Sequence, residues 1–335
     1  VGTDNIAIGD DALLLNTTGV DNVAIGGDAL TTATVGINNI AIGKNALTLL
    51  TTGNDNVAIG QGALDAATTA IDNVAIGSNA LGANTVGTDN IAIGDDALLL
   101  NTTGINNVAI GGDALDANTI GTGNVAIGKN ALGANTTGVD NVAIGKDAML
   151  VSTIGTDNIA IGTTALDANT TGIRNVAIGV SALTGNTVGT RNVAIGTAAL
   201  GSNTTGVDNV AIGGLAALDA NTIGTGNVAI GTYALGANTT GVDNVAIGVD
   251  TLLLNTVGIN NIAIGNTSLN ALTTATRCIA IGQDALGGVT TGVDNVAIGD
   301  AAGNTITTGD GNTLIGRNAQ TGSATAIDRI ILSAG

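Results

Sequence analysis

Asn22-Val23-Ala24-Ile25-Gly26 is the stretch on which the reading of this 335-residue chain turns. The same phrase, with Val or Ile second, begins at Asn5 and returns at every seventeenth position as far as Asn209. After one eighteen-residue step it resumes at Asn227, Asn244 and Asn261, passes through Cys278, and continues at Asn295. Asn312-Thr313-Leu314-Ile315-Gly316 is a looser copy. Self-similarity at a fixed period of this size marks a stacked repeat architecture, which grows by adding rungs rather than by enlarging one core. Within the phrase a β-branched residue occupies every second position, a strand signal, and Gly punctuates the ends where the chain must bend. Seventeen residues cannot also hold a helix of ordinary length. Each unit therefore reads as one coil of an all-β parallel β-solenoid, a β-roll of about twenty 17-residue rungs stacked about 4.8 Å apart. The second half of the unit, from Ala29-Leu30 onward, reads as a short second strand or an extended arm.

Composition agrees with a narrow interior. Pro, His, Trp, Phe and Glu are absent, Tyr233 is the one aromatic residue, and there are 53 Gly. Ordinary cores draw much of their buried area from aromatic side chains, so small and branched residues must fill this one. All 26 acidic residues are Asp, against eight Lys plus Arg, for a formal charge of −18. That balance repels phosphate backbones and argues against nucleic acid as a partner. Apolar runs such as Ala12 to Leu15 fall far short of a bilayer, so no membrane span is expected. Cys278 stands alone and says nothing about redox compartment.

Stacking turns repeat positions into columns. Gly follows the strand in every copy, from Gly9 to Gly316, which requires positive φ or close backbone approach. The Asn column suits a ladder of amides bonded rung to rung, and a second, partial Asn column runs through Asn16, Asn84, Asn101, Asn118, Asn135, Asn169, Asn186 and Asn203. Leu13, Leu30 and Leu47 begin an apolar column in which Met149 substitutes. Alternation along the strand places Val23 and Ile25 on one face and Asn22, Ala24 and Gly26 on the other. Neither face carries charge, whereas a one-sided sheet shows polar residues outward. The strand therefore reads as covered on both sides, one face in its own coil and the other against partner chains that share the Val/Ile columns.

Copies such as Asn141-Val142-Ala143-Ile144-Gly145-Lys146-Asp147-Ala148 resemble the repeats of trimeric autotransporter adhesin heads, and seventeen-residue units with Asn-Thr-Thr-Gly links resemble phage tail-fibre shafts. The resemblance covers the chain from Asn5 to about Gly316. It implies a left-handed β-roll, three copies of which associate around a common axis. The autotransporter unit is usually a few residues shorter, which favours the tail-fibre side.

On this reading residues 1–316 form the repeat rod, and 317–335 a terminal rung and a transition to a following domain. Residues 1–19 and 86–104 are identical, as expected of a part built by duplicating blocks. The extra residue around Gly213-Gly214-Leu215-Ala216-Ala217 should be accommodated as a bulge. The expected function is a structural fibre segment of an extracellular or virion appendage, a rigid homotrimeric rod that positions an adhesive or receptor-binding tip. The alternative is an adhesin head whose own surface binds a host receptor, either matrix protein or glycan.

Candidate sites are few. The residue before the ladder Asn is often Asp, and Asp4, Asp21, Asp55, Asp72 and Asp89 are the candidates for calcium, which favours carboxylate and carbonyl oxygens. Against a metal, the spacing lacks the dense Gly-Gly-x-Gly-x-Asp pattern of calcium-binding rolls, and Arg174 and Arg191 occupy the same column. The competing reading is a solvated acidic stripe with no cofactor. Catalysis is not expected: there is no His, no Glu and no paired Cys, and the Asp residues recur instead of converging. Ice binding is disfavoured because Thr17-Thr18 and Thr102-Thr103 are adjacent, so they face opposite ways, and because Val and Ile interrupt the column. Tyr233, in a variable position, reads as a surface residue.

Overall fold

The computed structural model describes residues 2–333. It is all-β, with no helix among those residues, and it divides into two compact units, Val1–Thr171 and Gly172–Gly335. In the first unit, β1 to β10 are Ile6–Ile8, Val23–Ile25, Ile40–Ile42, Val57–Ile59, Val74–Ile76, Ile91–Ile93, Val108–Ile110, Val125–Ile127, Val142–Ile144 and Ile159–Ile161. Each pairs in parallel with the next, so the ten strands follow one another in chain order. Register is set by the repeat: Ala7 faces Ala24, Ala24 faces Ala41, Ala41 faces Ala58.

The second unit repeats the arrangement. Its strands β11 to β20 are Val176–Ile178, Val193–Thr197, Val210–Leu215, Val228–Ile230, Val245–Ile247, Ile262–Ile264, Ile279–Ile281, Val296–Ile298, Thr313–Ile315 and Ile330–Leu332. They also pair in parallel, in chain order. Each unit is thus a parallel β-solenoid with one three-residue strand in most rungs. The extra residue appears as foreseen, with a register shift between Ile195 and Thr197 where Thr197 pairs with Leu215. The stretch 317–335 carries β20, which pairs with β19; Ala334 and Gly335 lie outside the described residues.

The second half of the unit forms neither a second strand nor a free arm. It is a run of turns whose amides bond to the neighbouring rung, as in Leu30 N to Ala46 O at 3.0 Å and Thr34 N to Thr51 O at 3.2 Å. Three left-handed positions shape the coil. In the second rung they are Asp21 (φ 57), Asp28 (φ 56) and Leu30 (φ 54). Asp and Asn tolerate that region best among residues with a Cβ, which explains their prevalence in the first two columns. Leu does not, at about 1–2 kcal/mol per residue. Full burial of Leu30 contributes about 1.5–3 kcal/mol and offsets that strain.

The core is narrow. Asn22, Ala24, Ala29 and Leu30 are completely buried, and the same four columns recur in the following rungs. Asn22 donates through Nδ2 to Asn5 Oδ1 at 3.1 Å and to Gly36 O at 2.7 Å, while its backbone N–H donates to the same Asn5 oxygen at 2.9 Å. Asn39 repeats this pattern on Asn22. A buried amide is costly only when unpartnered, and here both ends are occupied.

Candidate functional site: the outward strand face

With Asn22 and Ala24 turned inward, Val23 and Ile25 must turn outward, because successive strand residues alternate. The outcome is uniform. Ile59, Ile93, Ile110, Ile127, Ile161, Ile178 and Ile195 each retain 36 or 37% of their surface; two positions earlier Val57, Val108, Val125, Val176 and Val193 are half-buried, while Ile91 and Ile159 are 37 and 36% exposed. The outward face of each sheet is consequently a two-rank array of aliphatic side chains without a charge. Monomeric proteins rarely leave contiguous apolar surface of this kind, and where it occurs it marks an interaction site. The expected Val/Ile columns are therefore on the outside of the coil, available to another molecule, and the chain's own interior is built from Asn, Ala and Leu.

The acidic columns are dispersed. Asp4, Asp21, Asp55, Asp72 and Asp89 are all exposed, one per rung, with φ between 57 and 60. Asp55 accepts from Asn38 Nδ2 at 3.0 Å, and Asp89 from the Thr88 hydroxyl at 3.0 Å. Among the described residues no group of three Asp or Cys side chains converges in a way that could hold a metal ion. Where Arg enters the column it forms a fork: Arg191 Nε and Nη2 lie 2.6 and 2.8 Å from the carboxylate of Asp208, and Arg277 makes the same pair with Asp294. These hydrogen bonds hold Asp208 and Asp294 below the usual carboxylate range. Partial burial instead pushes Asp65, Asp116 and Asp219 up. Asp116 lines a shallow depression of about 360 Å³ together with Asp113, Asn130 and Leu150.

Two features escaped the sequence reading. The first Thr of each link turns along the stack, and its hydroxyl donates to the next rung's carbonyl: Thr17 to Thr34 O at 2.8 Å, Thr102 to Thr119 O at 3.0 Å. Its unbroken repetition from Thr17 to Thr307 was the available signal. The left-handed Leu column had no such signal, since Leu is not a residue that advertises positive φ. Tyr233 falls in the left-handed Asp28 column and is 43% exposed. Cys278, a buried thiol pushed up by burial, replaces one ladder Asn and donates weakly to Gly292 O at 3.3 Å.

No protein-family model matches the chain, and neither does any curated protein. No helix of the described residues is long and apolar enough to cross a membrane.

Proposed function

We propose that this chain is a structural fibre segment of an extracellular or virion appendage, in which three copies share their Val/Ile columns and hold an adhesive or receptor-binding tip away from its base. The observation that carries the reading is the uniform exposure of the strand isoleucines, such as Ile110 at 37% and Ile127 at 36%, on an uncharged face. A solitary coil leaves that face wet; neighbouring copies with the same periodicity bury it rung for rung. The resemblance of the repeats to trimeric adhesin heads and tail-fibre shafts supports three as the number. The reading gives the chain no catalytic role, because the Asp residues recur from rung to rung in place of meeting at one point.

The test is a pair of charges placed on the shared face. Ile110→Asp combined with Ile127→Asp should convert the assembly to single chains by size-exclusion chromatography while the strand signal in circular dichroism persists. A double variant that elutes with the unaltered protein would remove the proposal. Saturable binding of the isolated chain to matrix protein or glycan in a solid-phase assay would assign it the role of an adhesin head.

A further inference from the structure

The outward Val/Ile face looks the same from every rung, and its two borders do not. From β2 to β18 every strand offers Val or Ile followed two residues later by Ile. Copies that share this face therefore lose little more than one rung of contact when one slides by about 4.8 Å. Where the chain enters the strand stands the exposed column of Asp4, Asp21 and Asp55. Where it leaves, the residue after the strand glycine varies, and in four rungs it is an exposed cation: Lys44, Lys129, Lys146 or Arg317.

Cations are scarce in a chain of charge −18, and their pairing divides them. Lys146 lies 3.3 Å from Asp147, and Arg191 and Arg277 pair with Asp208 and Asp294. Among the described residues, Lys44, Lys129 and Arg317 meet no carboxylate of their own chain at ion-pair distance. All four cations of the leaving border nevertheless share one relation. In the entering column of the next rung stands Asp55, Asp140, Asp157 or Asp328, each exposed. By the same offset the acidic residues of the leaving border, Asp95 and Asp300, reach Asn106 and Gly311, and only Asp10 reaches another carboxylate, Asp21. Without the offset the match is lost. Lys44, Lys129 and Arg317 would then face Asn38, Gly123 and Gly311, while Asp95 and Asp300 would face Asp89 and Asp294.

We propose that these borders set the register and direction in which a second copy of the chain docks on the Val/Ile face. The leaving border of one copy lies against the entering border of the next, one rung on. Lys44 then meets Asp55 of the adjacent copy, Lys129 meets Asp140 and Arg317 meets Asp328. The inference rests on the reading of the Val/Ile face as a surface shared between copies, and charge complementarity selects the occupant. Copies arranged about an axis along the stack bring unlike borders together. An axis across the stack would bring like borders together and set Asp55, Asp72 and Asp89 against another acidic column, a repulsive arrangement. Solvent-exposed ion pairs add little affinity, but complementary charge steers encounter and fixes register. Register and direction are what a uniform apolar face leaves undecided.

The experiment is disulfide trapping in the full chain, with light scattering on the same samples. Lys129→Cys combined with Asp140→Cys should give linked chains on a denaturing gel after mild oxidation. Lys129→Cys combined with Asp89→Cys, three rungs from the expected partner, should leave the chains single; Cys278 is buried and is kept in both. In low salt, Lys44→Asp combined with Lys129→Asp should weaken association several-fold, and adding Asp55→Arg and Asp140→Arg should restore it. Arg191 shows that the entering column accepts a cation. Assembled protein in which the expected pair does not link, or in which the control pair links as readily, would overturn the register and leave the shared face standing. Unchanged association of the charge-reversed variant would overturn it equally. A protein that scatters as a single chain would overturn both the register and the shared face.

Discussion

At the scale of the residue, the interior is governed by amide bookkeeping. The second Asn column tolerates Asn in runs and apolar residues elsewhere: Asn84, Asn101, Asn118 and Asn135 are consecutive, and Ala33, Leu50 and Ala67 occupy the rungs before them, all buried. In the run each amide serves the last, with Asn101 Nδ2 to Asn84 Oδ1 at 3.0 Å, and Asn118 to Asn101 and Asn135 to Asn118 both at 2.9 Å. The run stops at Ser152, whose side chain is too short to continue it. Asn135 Oδ1 and Ser152 Oγ are both buried without a partner. Ser152→Asn should supply the missing donor and stabilise the protein by about 1–3 kcal/mol, the usual cost of an orphaned buried group. Denaturant titration checks this; a destabilised variant would show that the rung has no room for the larger amide. The Asn ladder was legible in the sequence because one residue type filled one column. The left-handed Leu was not, since its strain is compensated by burial that only the folded coil reveals.

At the scale of the rung, close stacking imposes its own residue requirements. Gly94 has φ +142, and a Cβ there would sit 2.5 Å from the carbonyl oxygen of Gly111 in the next rung. Backbone cannot move aside without disturbing the stack. Gly94→Ala should cost about 1–3 kcal/mol for the strained conformation, with the clash in addition. Gly112, whose Cβ would meet nothing nearer than Asp95 O at 4.0 Å, supplies the control, and Gly112→Ala should leave Tm nearly unchanged. Equal responses in thermal melts would show that the two columns are not distinguished by rung contact. Strand position, register and the bulge before Leu215 were all readable from the repeat. The second half of the unit was not, because its turns are held by amides of the neighbouring rung, a contact with no local sequence signature.

At the scale of the whole molecule, the outward Val/Ile array is the feature that most needs an explanation. Its apolar character could be read directly from the alternation in Asn22-Val23-Ala24-Ile25-Gly26, and the interior's choice of Asn and Ala over Val and Ile settles which face is left outside. In the proposed assembly a second molecule covers it, and the identity of that molecule is not written in the repeat of one chain. The most direct test is the mass of the intact protein in solution by light scattering at micromolar concentration. The account predicts three times the 32.0 kDa of one chain. A stable, non-aggregating single chain would contradict it.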